Sequence, residues 1–176
     1  MITRLLFRYG LIAGLTTAVI FLSTFFTLNM ENHDMELGMY IGFASMLLGM
    51  LWLLPGVKKI RATGSVQNWN FGWAFLFALI MGLMVCIIYS SIWTCYIEFF
   101  NPDWMDDYAG KYLKSLENSG INPIELEEKV KEMESYKELY KTPFGVFFIT
   151  LPEPMPIALL MALVSGFVWR KRPHLS

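Results

Sequence analysis

The chain has 176 residues, 55% of them hydrophobic and only 16% charged, with a formal net charge of −1. A soluble domain carries roughly a quarter charged residues, so this composition excludes an ordinary soluble globular protein. It also excludes a nucleic-acid binder, which needs a basic stripe or patch that this chain lacks apart from membrane flanks.

The first predicted element is an apolar span over residues 5–28, in which Arg8 is the only charge. A span needs roughly 20 apolar residues to cross a hydrocarbon core of about 30 Å. Its apolar stretch is too long for a secretory signal, and no small-residue cleavage motif precedes Asn29, so it is expected to be retained. A short acidic loop with Glu31, Asp34 and Glu36 follows, then a second span over 37–54 without a charge. Lys58, Lys59 and Arg61 come next, and a third span covers 71–97, again without a charge. Cys86 and Cys95 lie nine residues apart in it, half a helical turn out of phase, and so face opposite sides and cannot pair.

Residues 98–142 hold 11 acids and 6 lysines. Asn101-Pro102-Asp103 places a cap residue, a proline and an acid in helix-starting order. Asn122-Pro123-Ile124-Glu125 repeats the device, with Glu125 at the capping-box position, and Ser119-Gly120 between them is a helix stop. The spacing predicts one helix from Pro102 to about Asn118, with Met105, Tyr108, Tyr112, Leu113 and Leu116 on one face. A second runs from Pro123 to about Lys141, with Leu126, Val130, Met133, Tyr136 and Tyr140 on one face. Together they form an acidic amphipathic hairpin with its tip at Ser119-Gly120.

The fourth span covers 144–169, and Glu153 is its only acid. Pro152, Pro154 and Pro156 surround that acid. Each proline removes a donor and crowds the carbonyl four residues earlier, and each pushes its predecessor toward extended geometry. The expectation is a non-helical break between Thr150 and Pro156, with Leu151 to Met155 extended and a new helix starting at Pro156. Glu153 would then face the free N–H groups of Ile157 and Ala158. A cation held by Glu153 and freed carbonyls, as at broken transporter helices, is the sharper alternative.

Arg4, Arg8, Lys58, Lys59, Arg61, Arg170, Lys171 and Arg172 flank the spans without a neighbouring acid, whereas the other connections are acidic. Basic excess marks the cytoplasmic face, which puts both ends of the chain inside and the hairpin outside. Trp52, Trp69, Trp73 and Trp169 then fall near the inner boundary, and Trp93 and Trp104 near the outer one. Small residues recur about every four positions in each span: Gly10 and Gly14; Gly42, Ser45 and Gly49; Ala74, Ala78 and Gly82; Ala158, Ala162 and Gly166. Such stripes let helices approach closely in lipid, here in an intramolecular four-helix bundle.

Several stretches together resemble the four-span bacterial membrane proteins grouped as domain of unknown function 4199. They are R-Y-G-L-I-A-G-L near the start, N-F-G-W-A-F-L-F-A-L at the third span, Y-I-E-F-F-N-P-D-W-M-D-D-Y, E-L-E-E-K-V-K-E-M-E-S-Y-K-E-L-Y-K-T-P, and the proline-rich entry to the last span. The resemblance covers nearly the whole chain. It implies a bacterial cytoplasmic-membrane protein and supplies no activity.

The fold class expected is therefore an all-α integral membrane protein of four spans, one domain over 1–176, with the hairpin over 98–142 inserted between spans three and four. No nucleophile with a base and no metal motif is visible, since His33 and His174 lie outside the spans. No cofactor is expected. The preferred reading is a non-catalytic envelope protein whose hairpin contacts a partner or the membrane surface. The alternative is a small transporter or ion pathway through Glu153. The residues singled out are Glu153, Pro152, Pro154, Pro156 and Glu98, and the expected partners are the lipid bilayer and an envelope protein or a second copy.

Overall fold

The computed structural model describes residues 1–27 and 35–170. Their elements are all helical: α1 (Ile2–Thr27), α2 (Met35–Met50), α3 (Leu53–Ala62), α4 (Phe71–Phe100), α5 (Trp104–Asn118), α6 (Pro123–Tyr140), α7 (Pro143–Thr150) and α8 (Met155–Trp169). Four stretches are long and apolar enough to cross a membrane: Ile2–Thr24, Tyr40–Ala62, Phe71–Phe100 and Pro143–Trp169. The described residues are all-α, with four such stretches. Glu31, His33, Asp34, Lys171, Arg172 and His174 lie outside the described residues, as does the side chain of Glu36.

The second span runs further than residue 54. Helix continues to Ala62 after an interruption at Leu51 and Trp52. Pro55 is the reason. In the first turn of α3 its missing N–H is no loss, but its ring opposes the carbonyl of Leu51, so the break falls there. The chain bridges it with short-range bonds, Trp52 N–H to the Gly49 carbonyl and Leu54 N–H to the Leu51 carbonyl. Lys58, Lys59 and Arg61 consequently sit on α3 rather than after the span, and Leu53, Gly56, Val57 and Ile60 form its buried face.

Two compact units make up the chain. The first comprises Met1–Tyr89 with Leu151–Ser176. In it, Met50, Leu53, Val57, Met81, Val85 and Met161 are buried around the small residues Ala13, Ala74, Ala78, Ala158 and Ala162. The members of all four small-residue stripes are buried. A Cβ on Gly49 would collide with the Thr17 hydroxyl and come within 2.7 Å of its backbone nitrogen, so α1 and α2 meet backbone to backbone. One on Gly82 would stand 2.9 Å from the Ala158 Cβ, where α4 meets α8. The Thr17 and Ser45 hydroxyls bond to the carbonyls of Ala13 and Gly42, at 2.9 and 2.7 Å. Their polarity is thereby satisfied within their own helices.

The second unit is Ser90–Thr150. Asn122 caps α6, its Oδ1 accepting from the Ile124 N–H at 2.9 Å with Pro123 at the helix start. Thr142 does the same for α7, accepting from the Gly145 N–H at 3.1 Å ahead of Pro143. The start of α5 departs from expectation. Asn101 does not cap a helix at Pro102; its N–H bonds to the Tyr96 carbonyl at 3.3 Å. Its backbone thus continues the end of α4, and α5 begins at Trp104 after a turn, without a side-chain cap from Asp103. Gly120 ends the connection from α5 with φ +73, a conformation that glycine adopts freely.

Candidate functional site

Pro152, Glu153 and Pro154 fall in one short turn of the first unit, and Pro156 follows in the first turn of α8. Between α7 and α8, residues 151–154 form a turn rather than an extended strand. Pro154 is helical in its backbone, with φ −80 and ψ −6, and the Met155 N–H reaches the Pro152 carbonyl at 3.2 Å. The expected break exists, but its geometry is tight. Each proline fixes φ near −65°, a value that helix and turn share. The preference of the preceding residue for extended geometry loses to a short closure.

The new helix accordingly starts at Met155, with Pro156 in its first turn rather than at its first position. Glu153 does not cap α8, because no side chain bonds to that helix start. The Ala158 N–H is taken by the Pro154 carbonyl at 3.0 Å. The Glu153 side chain is exposed and has no hydrogen bond or ion pair among the described residues. Beside the turn, Pro152, Met155, Pro156, Ala158 and Leu159 join Leu79 and Leu83 around an apolar groove of about 450 Å³. Glu98, expected to open the segment after the third span, lies in the second unit on the last turn of α4 and is exposed.

The second unit is built on aromatic rings. Trp93 stacks on Tyr96 at 5.4 Å and meets Trp104 edge-on at 5.2 Å. Trp104 stacks on Tyr108 at 5.1 Å and on Tyr140 at 5.6 Å. The start of α5 is thus held beside the end of α6, where the Lys137 ammonium also reaches Asp106 at 2.7 Å. Met105, Ala109 and Met133 are the buried residues between the two helices. A cleft of about 640 Å³ opens nearby, lined by Pro102, Asp106, Glu134, Lys137 and Tyr140 among others. On α6, Lys129 donates to Glu132 at 2.6 Å and the Tyr136 hydroxyl donates to its other oxygen at 3.3 Å. The Lys129 bond holds the Glu132 carboxyl below its usual range, and the same bond raises the Lys129 ammonium above its own. Among the described residues no three His, Cys, Asp or Glu side chains cluster as metal ligands would.

A family described as "Protein of unknown function (DUF4199)" matches residues 8–171. This chain belongs to it. No curated protein and no solved structure matches the chain. Membership in DUF4199 carries no activity, so the roles of residues in this member rest on geometry.

One cluster in this DUF4199 protein escaped the reading of its sequence, which used Lys58, Lys59 and Arg61 only as markers of orientation. In the first unit, the Lys58 ammonium and the Arg61 guanidinium lie 5.6 and 5.7 Å from the centre of the Trp169 ring. Trp69 is buried there, and its indole N–H donates to the Trp169 carbonyl at 2.7 Å. The Trp169 indole N–H and the Arg61 Nε–H are buried and have no acceptor among the described residues. The available signal was a tryptophan ending one span beside an arginine ending another.

Proposed function

We propose that this chain is a non-catalytic, multi-pass protein of a bacterial cytoplasmic membrane whose acidic hairpin, α5 with α6, docks a protein partner with a basic face outside that membrane. The observation that carries the reading is the distribution of charge in the second unit. Lys129, Lys131, Lys137 and Lys141 are each tied to a carboxylate, whereas the segment holds 11 acids to 6 lysines. The excess faces outward on Glu125, Glu128 and Glu134, which are exposed. Ring contacts of Trp104 with Tyr108 and Tyr140 join the start of α5 to the end of α6, which carries this surface. The proposed orientation is supported by the basic residues at the start of α1 and the ends of α3 and α8.

Purification from native membranes after mild crosslinking tests the reading. A stoichiometric partner that is lost on the triple change Glu125→Gln, Glu128→Gln and Glu134→Gln supports it. A second reading, an ion pathway, is favoured by the unpartnered Glu153 carboxylate in a proline-broken span. Ion flux in proteoliposomes that vanishes with Glu153→Gln, with no partner captured, would select that reading instead.

A further inference from the structure

Two indoles lie at the basic end of the first unit, and they differ in one respect. The Trp69 N–H has an acceptor, the Trp169 carbonyl. Among the described residues the Trp169 N–H has none, and neither has the Arg61 Nε–H, although both atoms are buried. A buried donor without an acceptor costs roughly 1–3 kcal/mol, and more if charged, so native structures rarely leave two in one place. The groups around them make the missing acceptor's chemistry specific. Lys58 and Arg61 flank the ring, and among the described residues the unpartnered groups of the cluster, the Arg61 Nε–H and the Trp169 N–H, are both donors. The described carboxylate of this unit, Glu153, precedes Trp169 by sixteen residues, roughly 24 Å at 1.5 Å per helical residue. A water could accept from both N–H groups, but it brings no charge to set against two cations.

We infer that Arg61, Trp169 and Lys58 form a binding site for a phosphate group, that of a net-anionic phospholipid. The ligand must only accept, must be negative, and must arrive at the level where spans end. Arg61 stands at the end of the second span and Trp169 at the end of the fourth, the depth at which tryptophan and basic residues meet headgroups. A phosphodiester has several acceptor oxygens and so serves the guanidinium and the indole at once. A zwitterionic choline lipid fits less well, because its own cation would meet Lys58 and Arg61. The inference rests on the membrane-spanning reading and is independent of what the hairpin binds.

The test uses the full chain in detergent, with thermal unfolding followed as lipid is titrated in. Phosphatidylglycerol is expected to protect at concentrations where phosphatidylcholine and inorganic phosphate do not. Trp169→Phe keeps the ring and the carbonyl that Trp69 uses but deletes the orphan donor. It should raise the phosphatidylglycerol concentration needed by about tenfold. Arg61→Lys keeps the charge without the Nε–H and should act in the same direction. Lys59→Gln, on the exposed side of α3, should change it less than twofold. Equal protection by the two lipids, or an unchanged Trp169→Phe, would overturn the site. A Lys59→Gln loss as large as that of Arg61→Lys would reduce it to diffuse charge attraction and overturn it too. Inorganic phosphate protecting as well as the lipid would keep the phosphate chemistry and overturn its lipid source.

Discussion

The two units of this protein differ in their most prominent helix contacts, although ring pairs such as Phe21 with Tyr89 and Trp69 with Phe77 also occur in the first. The first closes on the smallest residues, with Gly49 against Thr17 and Gly82 against Ala158. The second closes on the largest, with Trp93, Trp104, Tyr108 and Tyr140 in ring contact and an ion pair across α5 and α6. The difference fits the proposed reading of the first unit as lipid-embedded and of α5 with α6 as water-facing. Between helices in lipid there is no hydrophobic drive, because tails are as apolar as leucine, so close backbone approach and dispersion must serve. Where water is the alternative, burying a large aromatic surface is itself the drive, and ring geometry adds to it.

The comparison predicts opposite responses to one added methyl group. Gly49→Ala places it against the Thr17 backbone, which cannot rotate away, and should destabilise the protein by about 3 kcal/mol. A loss of under roughly 0.5 kcal/mol, within the range of ordinary surface substitutions, in a denaturant titration of the purified protein would show that the first unit is not closed there. Gly110→Ala is the counterpart. Gly110 lies inside α5 with nothing within 4 Å of its Cβ position, so the change should stabilise by about 1 kcal/mol through helix propensity. A loss instead would mean that this face of α5 is covered in the protein as isolated.

The smallest expected effect is electrostatic and belongs to the second unit alone. The Glu132 carboxyl is held down by Lys129, so its contribution is present above the ordinary carboxylate value of 4.5. It is lost as the pH falls through the lower folded value. Lys129 is raised, so its share holds below 10.5 and is lost as the pH rises past that. Circular dichroism titrated from pH 6 to pH 3 should show an acid limb that Glu132→Gln shortens. An identical limb in the variant would remove the pair from any account of α6.

Much of this fold is legible from residues that act locally. Asn122-Pro123 caps α6 because a side chain two residues away suffices. The small-residue stripes face inward because their period is that of a helix. What was misread involves competition between neighbouring segments. Asn101-Pro102 has the makings of a helix start, yet the chain turns through Pro102 and Asp103 and α5 begins only at Trp104. The second span, expected to end at residue 54, runs on to Ala62, because Pro55 only interrupts the helix at Leu51 and Trp52. At the fourth span, three prolines announce a break but leave its shape open, because turn and extended chain both suit their φ. The Trp169 and Arg61 cluster was out of reach for another reason. Whether a donor is orphaned depends on where every acceptor in the fold has gone, and no local pattern records that.

The two thiols of α4 carry a practical consequence. Cys86 is buried and Cys95 is exposed, and both are free. The chain as it stands therefore offers one reactive handle on its longest helix and keeps the other out of reach. A nitroxide or fluorophore attached there needs no prior mutagenesis and reports from a single position. With relaxation agents partitioned between water and acyl chains, that one label becomes a depth gauge for α4 in the bilayer, read on the native sequence.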